Sequence, residues 1–400
     1  MPTMQLTQFR YKDNMIISKI GESNNVFSLR TPHIINLLYL YKNISAFLEI
    51  NIMNLNERSI EDYFLQLDFN EIKCSFPYEI DYIARYKEIS GTLYRDVHPL
   101  VEQGANILDG VCLNNHGERH IKTVIKRASQ LVQTTGFEMT PYELYILLMG
   151  IHLHDVGNIK GRAHHEEKIS DVISDIEINI SSITFVDDVE KELIIDIAKA
   201  HGGSYNNLLS LNHEDRILDQ KVHAKYIAAI IRLADELSDD SGRAHKLLLH
   251  NGTIPEKAQI YHLYSHCLKT AEYQSDSKCI SYIFRVEEKY LHKKFIMNGK
   301  EVFFIDEIYA RTVKTFKEAV MCTKLLRPNI YVDKVRVTIS IVLEDKDVYG
   351  NSKKIQLQYD IEDIGYPEID FGQMCPHMAH LTGEYISDKL KNKQFEDVRC

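Results

Sequence analysis

His154 and Asp155 stand side by side at the end of an almost wholly apolar run, TPYELYILLMGIHLHD (140–155). Four more residues of ligand type, His120, His165, His201 and Asp235, lie on or beside other apolar-faced segments. An imidazole and a carboxylate at the buried end of a helix must be paired, protonated or given a cation. Neutral imidazole and carboxylate suit borderline to hard ions such as Zn, Mn or Fe. Alone, a His-Asp pair at a helix end reads as a cap or an ion pair. Together, the six N/O donors exceed what one tetrahedral zinc takes. They suit two metals bridged by Asp155. Two divalent ions about 3.5–4 Å apart can deprotonate a bridging water and neutralise charge on a phosphate under in-line attack.

The elements that must position these groups are legible as periodicity. Gly117–Gln133 places Ile121, Val124, Ile125, Ala128, Leu131 and Val132 at helical spacing, with His120 four residues before Val124. Thr140, Pro141 and Glu143 predict a capping-box start for the run that ends in the His-Asp pair. A helix is expected over Asp187–His201, stopped by Gly202-Gly203, with His201 four residues after Ile197. Another is expected over Val222–Leu237, where Asp235 falls four residues after Ile231. His165 follows Asp155 in a polar loop or a new helix. The adjacent His164 competes with it as a ligand, and His116 lies one turn before His120. Lys160 and Arg162 in the loop after the pair, then Arg243, are the expected partners for substrate charge, with Arg119 also adjacent to His120.

HIKTV (120–124), LHD (153–155) and RLADEL (232–237) resemble the HD-domain metal-dependent phosphohydrolases, recognised by H…HD…D on an all-α bundle. His165 in AHHEEKI and His201 in KAHGG resemble the six-ligand, binuclear branch. Similar layouts occur in bacterial symmetric dinucleoside tetraphosphate hydrolases and cyclic-dinucleotide phosphodiesterases. RLADELSDDSGRA also resembles the HD branch associated with Hsp90-like, defence and signalling proteins. The resemblance covers roughly residues 96–250, and HDVGNIKGRAHH lacks the GYP signature of standard cyclic-di-GMP phosphodiesterases. It implies two divalent transition-metal ions (Mn, Fe, Zn, Co or Ni). His120, His154, Asp155 and Asp235 would hold one, and His165 and His201 the other, sharing Asp155. It further implies hydrolysis of a phosphoester or phosphoanhydride, in a nucleotide or nucleotide-derived signal, by a metal-bridged hydroxide. A nuclease on the same bundle and a non-enzymatic nucleotide sensor are the rival expectations.

The rest of the chain bounds these expectations. Four hundred residues with a net charge of -10 give no blanket attraction to nucleic acid or anionic membranes. No run approaches a membrane span, and MPTMQLTQFRYKD has no apolar signal core. Seven scattered cysteines without CxxC spacing fit a reduced, cytoplasmic setting, and a homo-oligomer is compatible with the sequence. The expected fold is mainly α: a mixed, mostly helical region over 1–95, an all-α HD-type bundle over 96–250, and an α+β domain over 251–400. In the first region a strand is expected near Asn14–Ile20, and helices over 31–48, Arg58–Leu67 and Glu79–Tyr94. In the last, Gln259–Leu263, Cys279–Glu287, Val332–Leu343 and Lys354–Tyr359 read as strands and Asp306–Leu325 as a helix. Cys375, His377 and His380 lack a fourth partner at metal-site spacing.

Overall fold

Side-chain caps set the starts of the two helices that lead to His154 and His201. The computed structural model describes residues 59–109, 112, 116–135, 138–297, 299–346, 350–362 and 370–398. All of these belong to the second of the two units into which the chain divides, Asn54–Cys400. The strand expected near Asn14–Ile20 and the helix over 31–48 lie outside the described residues.

The fold is mainly α. Ser59 and Asp62 form a capping box for α1 (Ile60–Leu65). Asp81 caps α2 (Tyr82–Thr92), which continues through a π-helical turn, Leu93–Val97, into α3 (His98–Asp109). Then come α4 (Glu118–Thr135), α5 (Pro141–Leu153), α6 (Ile169–Asn179), α7 (Asp188–Lys199) and α8 (Ala224–Glu236). The Thr140 side chain accepts from the Glu143 amide, and the Glu143 carboxylate accepts from the Thr140 amide. Glu143 Oε1 also takes the His223 amide at 3.0 Å and lies 2.7 Å from its Nδ1. One buried carboxylate thus joins the start of α5 to the start of α8.

Every residue from Tyr142 to Leu153 is buried. α5 is therefore the central rod, packed by α1, α2, α4, α7 and α8. Its burial all round is the reason its sequence shows no amphipathic face. His154 and Asp155 follow at its C-terminal end, deep in the bundle.

Beyond the bundle, α9 (Glu256–Cys267) leads into a four-stranded sheet of β1 (Leu268–Gln274), β2 (Cys279–Glu287), β3 (Lys334–Lys346) and β4 (Ser352–Glu362). The spatial order is β1-β2-β3-β4; β2 and β3 are parallel and the other pairs antiparallel. A parallel pair needs a long crossover. Here it holds the hairpin Lys294–Met297/Lys300–Phe303 and α10 (Phe304–Leu326). Tyr282, Val337 and Tyr359 stand in register on the buried sheet face. Against this face lies α10, whose Thr315 and Thr312 hydroxyls are 3.3 and 2.9 Å from the Tyr282 and Tyr359 hydroxyls. The other side of α10 packs on α8.

The strand expected over Gln259–Leu263 is a correction: the segment is the middle of α9. Ala258, Ile260, His262, Leu263, Tyr264, Ser265 and Cys267 are all buried, so hydrophobic period could not distinguish helix from strand there. Pro255 before Glu256 is the start signal that decides it. After β4 the chain ends in short turns and α11 (Gly383–Lys391). Cys375 is buried there, its thiol donating to the Asp360 carbonyl at 2.8 Å.

Removing the α5 cap tests the capping argument. Thr140→Ala is expected to cost about 1 kcal/mol, read as a lower urea midpoint with an unchanged slope.

Candidate metal centre

Four imidazoles and two carboxylates converge where α4, α5, α7 and α8 meet the loop after α5. Two groups form: His120, His154 and Asp235, and Asp155, His165 and His201, the ligand atoms of each lying within 4.8 Å of one another. The Asp155 carboxylate faces both. Its Oδ2 is 3.4 and 3.3 Å from Nε2 of His120 and His154, and its Oδ1 is 3.2 Å from Nε2 of His165. Asp235 Oδ1 closes the first group, 3.1 Å from His120 Nε2 and 3.8 Å from His154 Nε2. The Nε2 atoms of His165 and His201 are 3.1 Å apart, and those of His120 and His154 are 3.3 Å apart.

The donor set fits divalent ions. His154 Nδ1 donates to the Ile151 carbonyl at 2.7 Å and His201 Nδ1 to the Ala198 carbonyl at 2.6 Å. With Nδ1 committed, each Nε2 faces inward, where a metal or a further proton can take its lone pair. Two facing lone pairs repel unless a proton or a metal lies between them. Ligand nitrogens about 2.0–2.1 Å from a tetrahedral ion sit about 3.3 Å from each other, the spacing found here. His120 and His154 are fully buried, whereas the Asp235 and His165 side chains are 29% and 11% exposed, so the centre opens on that side.

The surroundings hold these side chains in place. Asn158 Nδ2 donates to Asp155 Oδ1 at 2.9 Å, and Glu166 Oε2 is 3.2 Å from His165 Nδ1. Sequence patterning missed both, although they follow Asp155 and His165 within one turn. Gly157 lets the loop backbone lie on that of His165; a Cβ there would run into the His165 carbonyl. His165, not His164, is turned into the centre: His164 takes a left-handed φ of 50° and its side chain is 77% exposed. His116 Nε2 accepts from Arg243 Nη2 at 2.8 Å, so His116 acts on Arg243 rather than as a ligand.

A cavity of about 810 Å³ opens from the centre. Arg162 and Arg243 line it as the sequence suggested, with Arg162 Nη1 3.7 Å from Asp155 Oδ1. Lys160, expected from the sequence to meet substrate charge, is not among its lining residues: its Nζ pairs with Asp175 at 2.8 Å. Arg119 is also outside the lining, with Nη2 4.0 Å from Asp240. Lys257, Tyr261, Arg311 and Lys314 line the far wall, and sequence spacing gave no sign of them because they reach the site only through tertiary packing.

The family model HD-CE matches residues 92–311, more than half of the chain. The chain belongs to the HD-CE family. The match contains the six converging residues and continues past residue 250 through α9, β1 and β2 to Arg311 on the cavity wall. Comparison with curated proteins and with solved structures gives no match.

Charge is tightly balanced in the centre. Burial opposes ionisation of Asp155, yet His154, His116 and His120 hold it well below the usual carboxylate range. Burial likewise opposes ionisation of Asp235, which His120 and His154 hold down. Burial presses His154 toward neutrality, but Asp155 and Asp235 outweigh it and raise its pKa to about 10. Burial, then the neighbouring His154 and His165, pull His201 down to about 3. A metal held through His154 would displace the proton that Asp155 and Asp235 favour there. Divalent-metal affinity is expected to rise about tenfold per pH unit from pH 6 to 8, one proton being released. Competition with a metal-sensitive dye reads this, and a flat profile contradicts it. Gly157→Ala is expected to lower bound metal while helical circular dichroism is kept, because its added methyl displaces His165.

Proposed function

We propose that this HD-CE protein is a binuclear metal-dependent phosphohydrolase acting on a nucleotide or nucleotide-derived signal. The observation that carries this reading is the Asp155 carboxylate, whose two oxygens face two different histidine groups. Two divalent ions held there would act as Lewis acids on phosphoryl oxygens and lower the pKa of water, so that no dedicated general base is needed. His120, His154 and Asp235 would hold one ion, His165 and His201 the other, with Asp155 common to both.

The remaining work falls to the walls. Substrate would enter from the side of Asp235 and His165, the exposed rim of the centre. Arg162, Arg243 and Lys257 would meet phosphate charge beyond what the ions neutralise. Arg311 and Lys314 are already matched to carboxylates: Arg311 to Asp239 at 2.9 Å and to Glu307 at 3.0 Å, and Lys314 to Glu236. The Arg311 guanidinium lies 4.3 Å from the Tyr264 ring centroid and 5.5 Å from that of Tyr261. This stack offers a flat surface to the ring of a leaving group. A bounded cavity suits a small phosphorylated molecule better than an extended strand. Residues 96–250 would thus supply the metal chemistry and 251–400 much of the wall.

Protein purified without chelator is expected to carry transition metal and to release phosphate from at least one member of a nucleotide panel. His154→Ala should lose metal and reduce that release by at least about a hundredfold, while Cys375→Ala keeps both. No bound metal, with no activity after added Mn, would sink the enzyme reading. Cleavage of single-stranded DNA alone would shift it to a nuclease.

A further inference from the structure

Arg232 lies three residues before Asp235 on α8 and is almost fully buried, yet it is not a ligand. A guanidinium carries five N–H donors, and Arg232 makes five hydrogen bonds. Nε and Nη2 grip the Glu318 carboxylate on α10 at 2.7 and 3.0 Å. Nη1 reaches the Ala200 and Gly202 carbonyls at 3.3 and 3.2 Å, and Nη2 reaches the Gly203 carbonyl at 3.1 Å. Ala200 and Gly202 are the two neighbours of His201. The backbone on both sides of this candidate ligand is therefore held by one planar fork.

The turn itself is over-determined. Gly203 has a φ of 63°, and a Cβ there would meet the Glu166 carboxylate, which lies beside His165. The turn after α7 is thus pressed between Arg232 on one side and the Glu166–His165 pair on the other. Glu318 neutralises the fork from α10, a helix that supplies no ligand. It is one rung of a ladder in which Arg232, Glu236 and Asp239 meet Glu318, Lys314 and Arg311.

We propose that Arg232 is a positioning residue for His201, clamped by Glu318, so that the C-terminal helix α10 completes the His165–His201 half of the metal centre. A lysine at position 232 keeps the charge but cannot grip a carboxylate and three carbonyls in one plane. The proposal rests on the binuclear reading, and it divides the two halves: the five hydrogen bonds of the fork reach both neighbours of His201 and none of His120, His154 or Asp235.

Two measurements on the full chain decide it. In metal-free protein labelled with 15N-histidine, Arg232→Lys should shift or broaden the His201 ring resonances and leave those of His120 in place. Glu318→Gln, which keeps the side-chain shape, should do the same to a smaller degree. Arg336→Lys breaks a bidentate pair of the same kind, with Asp360 on the sheet, and should change neither. In Co2+ titrations the wild type should bind two ions, and Arg232→Lys should weaken one by about 10–100-fold, the effect of losing an outer support, with the other within about twofold. Unchanged His201 resonances in both variants, or equal weakening of both ions, would overturn the proposal. A wild type that takes up no Co2+ defeats the binuclear reading instead, and the His201 resonances still decide the positioning role.

Discussion

The structure is organised around a carboxylate that has been taken out of water. Asp155 is nearly inaccessible, and removing an ion from water is expensive unless its charge is matched at close range. The chain meets that demand by arranging other elements around the end of α5. α4 brings His120, the turn after α7 brings His201 and the loop after α5 folds back to bring His165, while α8 adds a second carboxylate, Asp235, that His120 and His154 also face. The loop can fold so tightly because Gly157 admits the His165 backbone, and Asn158 then ties the carboxylate to the loop that follows it. His154 and His201, whose outer nitrogens are committed to main-chain carbonyls, turn their inner nitrogens toward the centre, where a proton or a cation can answer the charge. A centre assembled in this way has a place for cations built into its hydrogen bonding.

The same logic reaches into the C-terminal part. α10 has two faces with different tasks. One packs on the sheet through Thr312 and Thr315, and the other meets α8 through paired charges. Buried ion pairs contribute little net stability against apolar packing, but their geometry is specific. Here the buried Arg232–Glu318 pair ties α8 to α10, while Lys314–Glu236 lies nearer the surface. The far wall of the cavity is thereby joined to the helix that carries Asp235.

Much of this was legible in the residues, and the limits have physical causes. The helices that carry His120, His201 and Asp235 announce themselves because each has one apolar face. Thr140, Pro141 and Glu143 mark the start of α5 by local chemistry alone. The six candidate ligands read from the sequence are the residues that converge in the two groups. What failed was whatever depends on distant sequence. α9 is buried nearly all round, so its pattern resembled a strand. Lys160 is close to Asp155 in sequence, but the turn sends its ammonium to Asp175. Arg232 stood in plain view within RLADEL, yet its role requires Glu318, which lies 86 residues further along. The cavity's far wall is invisible for the same reason.

The complete burial of α5 has an evolutionary consequence. A helix with no exposed side tolerates almost no change, since each altered volume must be accommodated by five neighbouring helices at once. The rim of the cavity is under no such restriction, because it is assembled from segments far apart in the sequence, each with another side facing solvent or sheet. Variation in Lys257, Tyr261 or the hairpin around Gly299 can therefore alter what the cavity accepts while leaving the centre untouched. The molecule thus joins a tightly constrained buried centre to a wall whose side chains are freer to change.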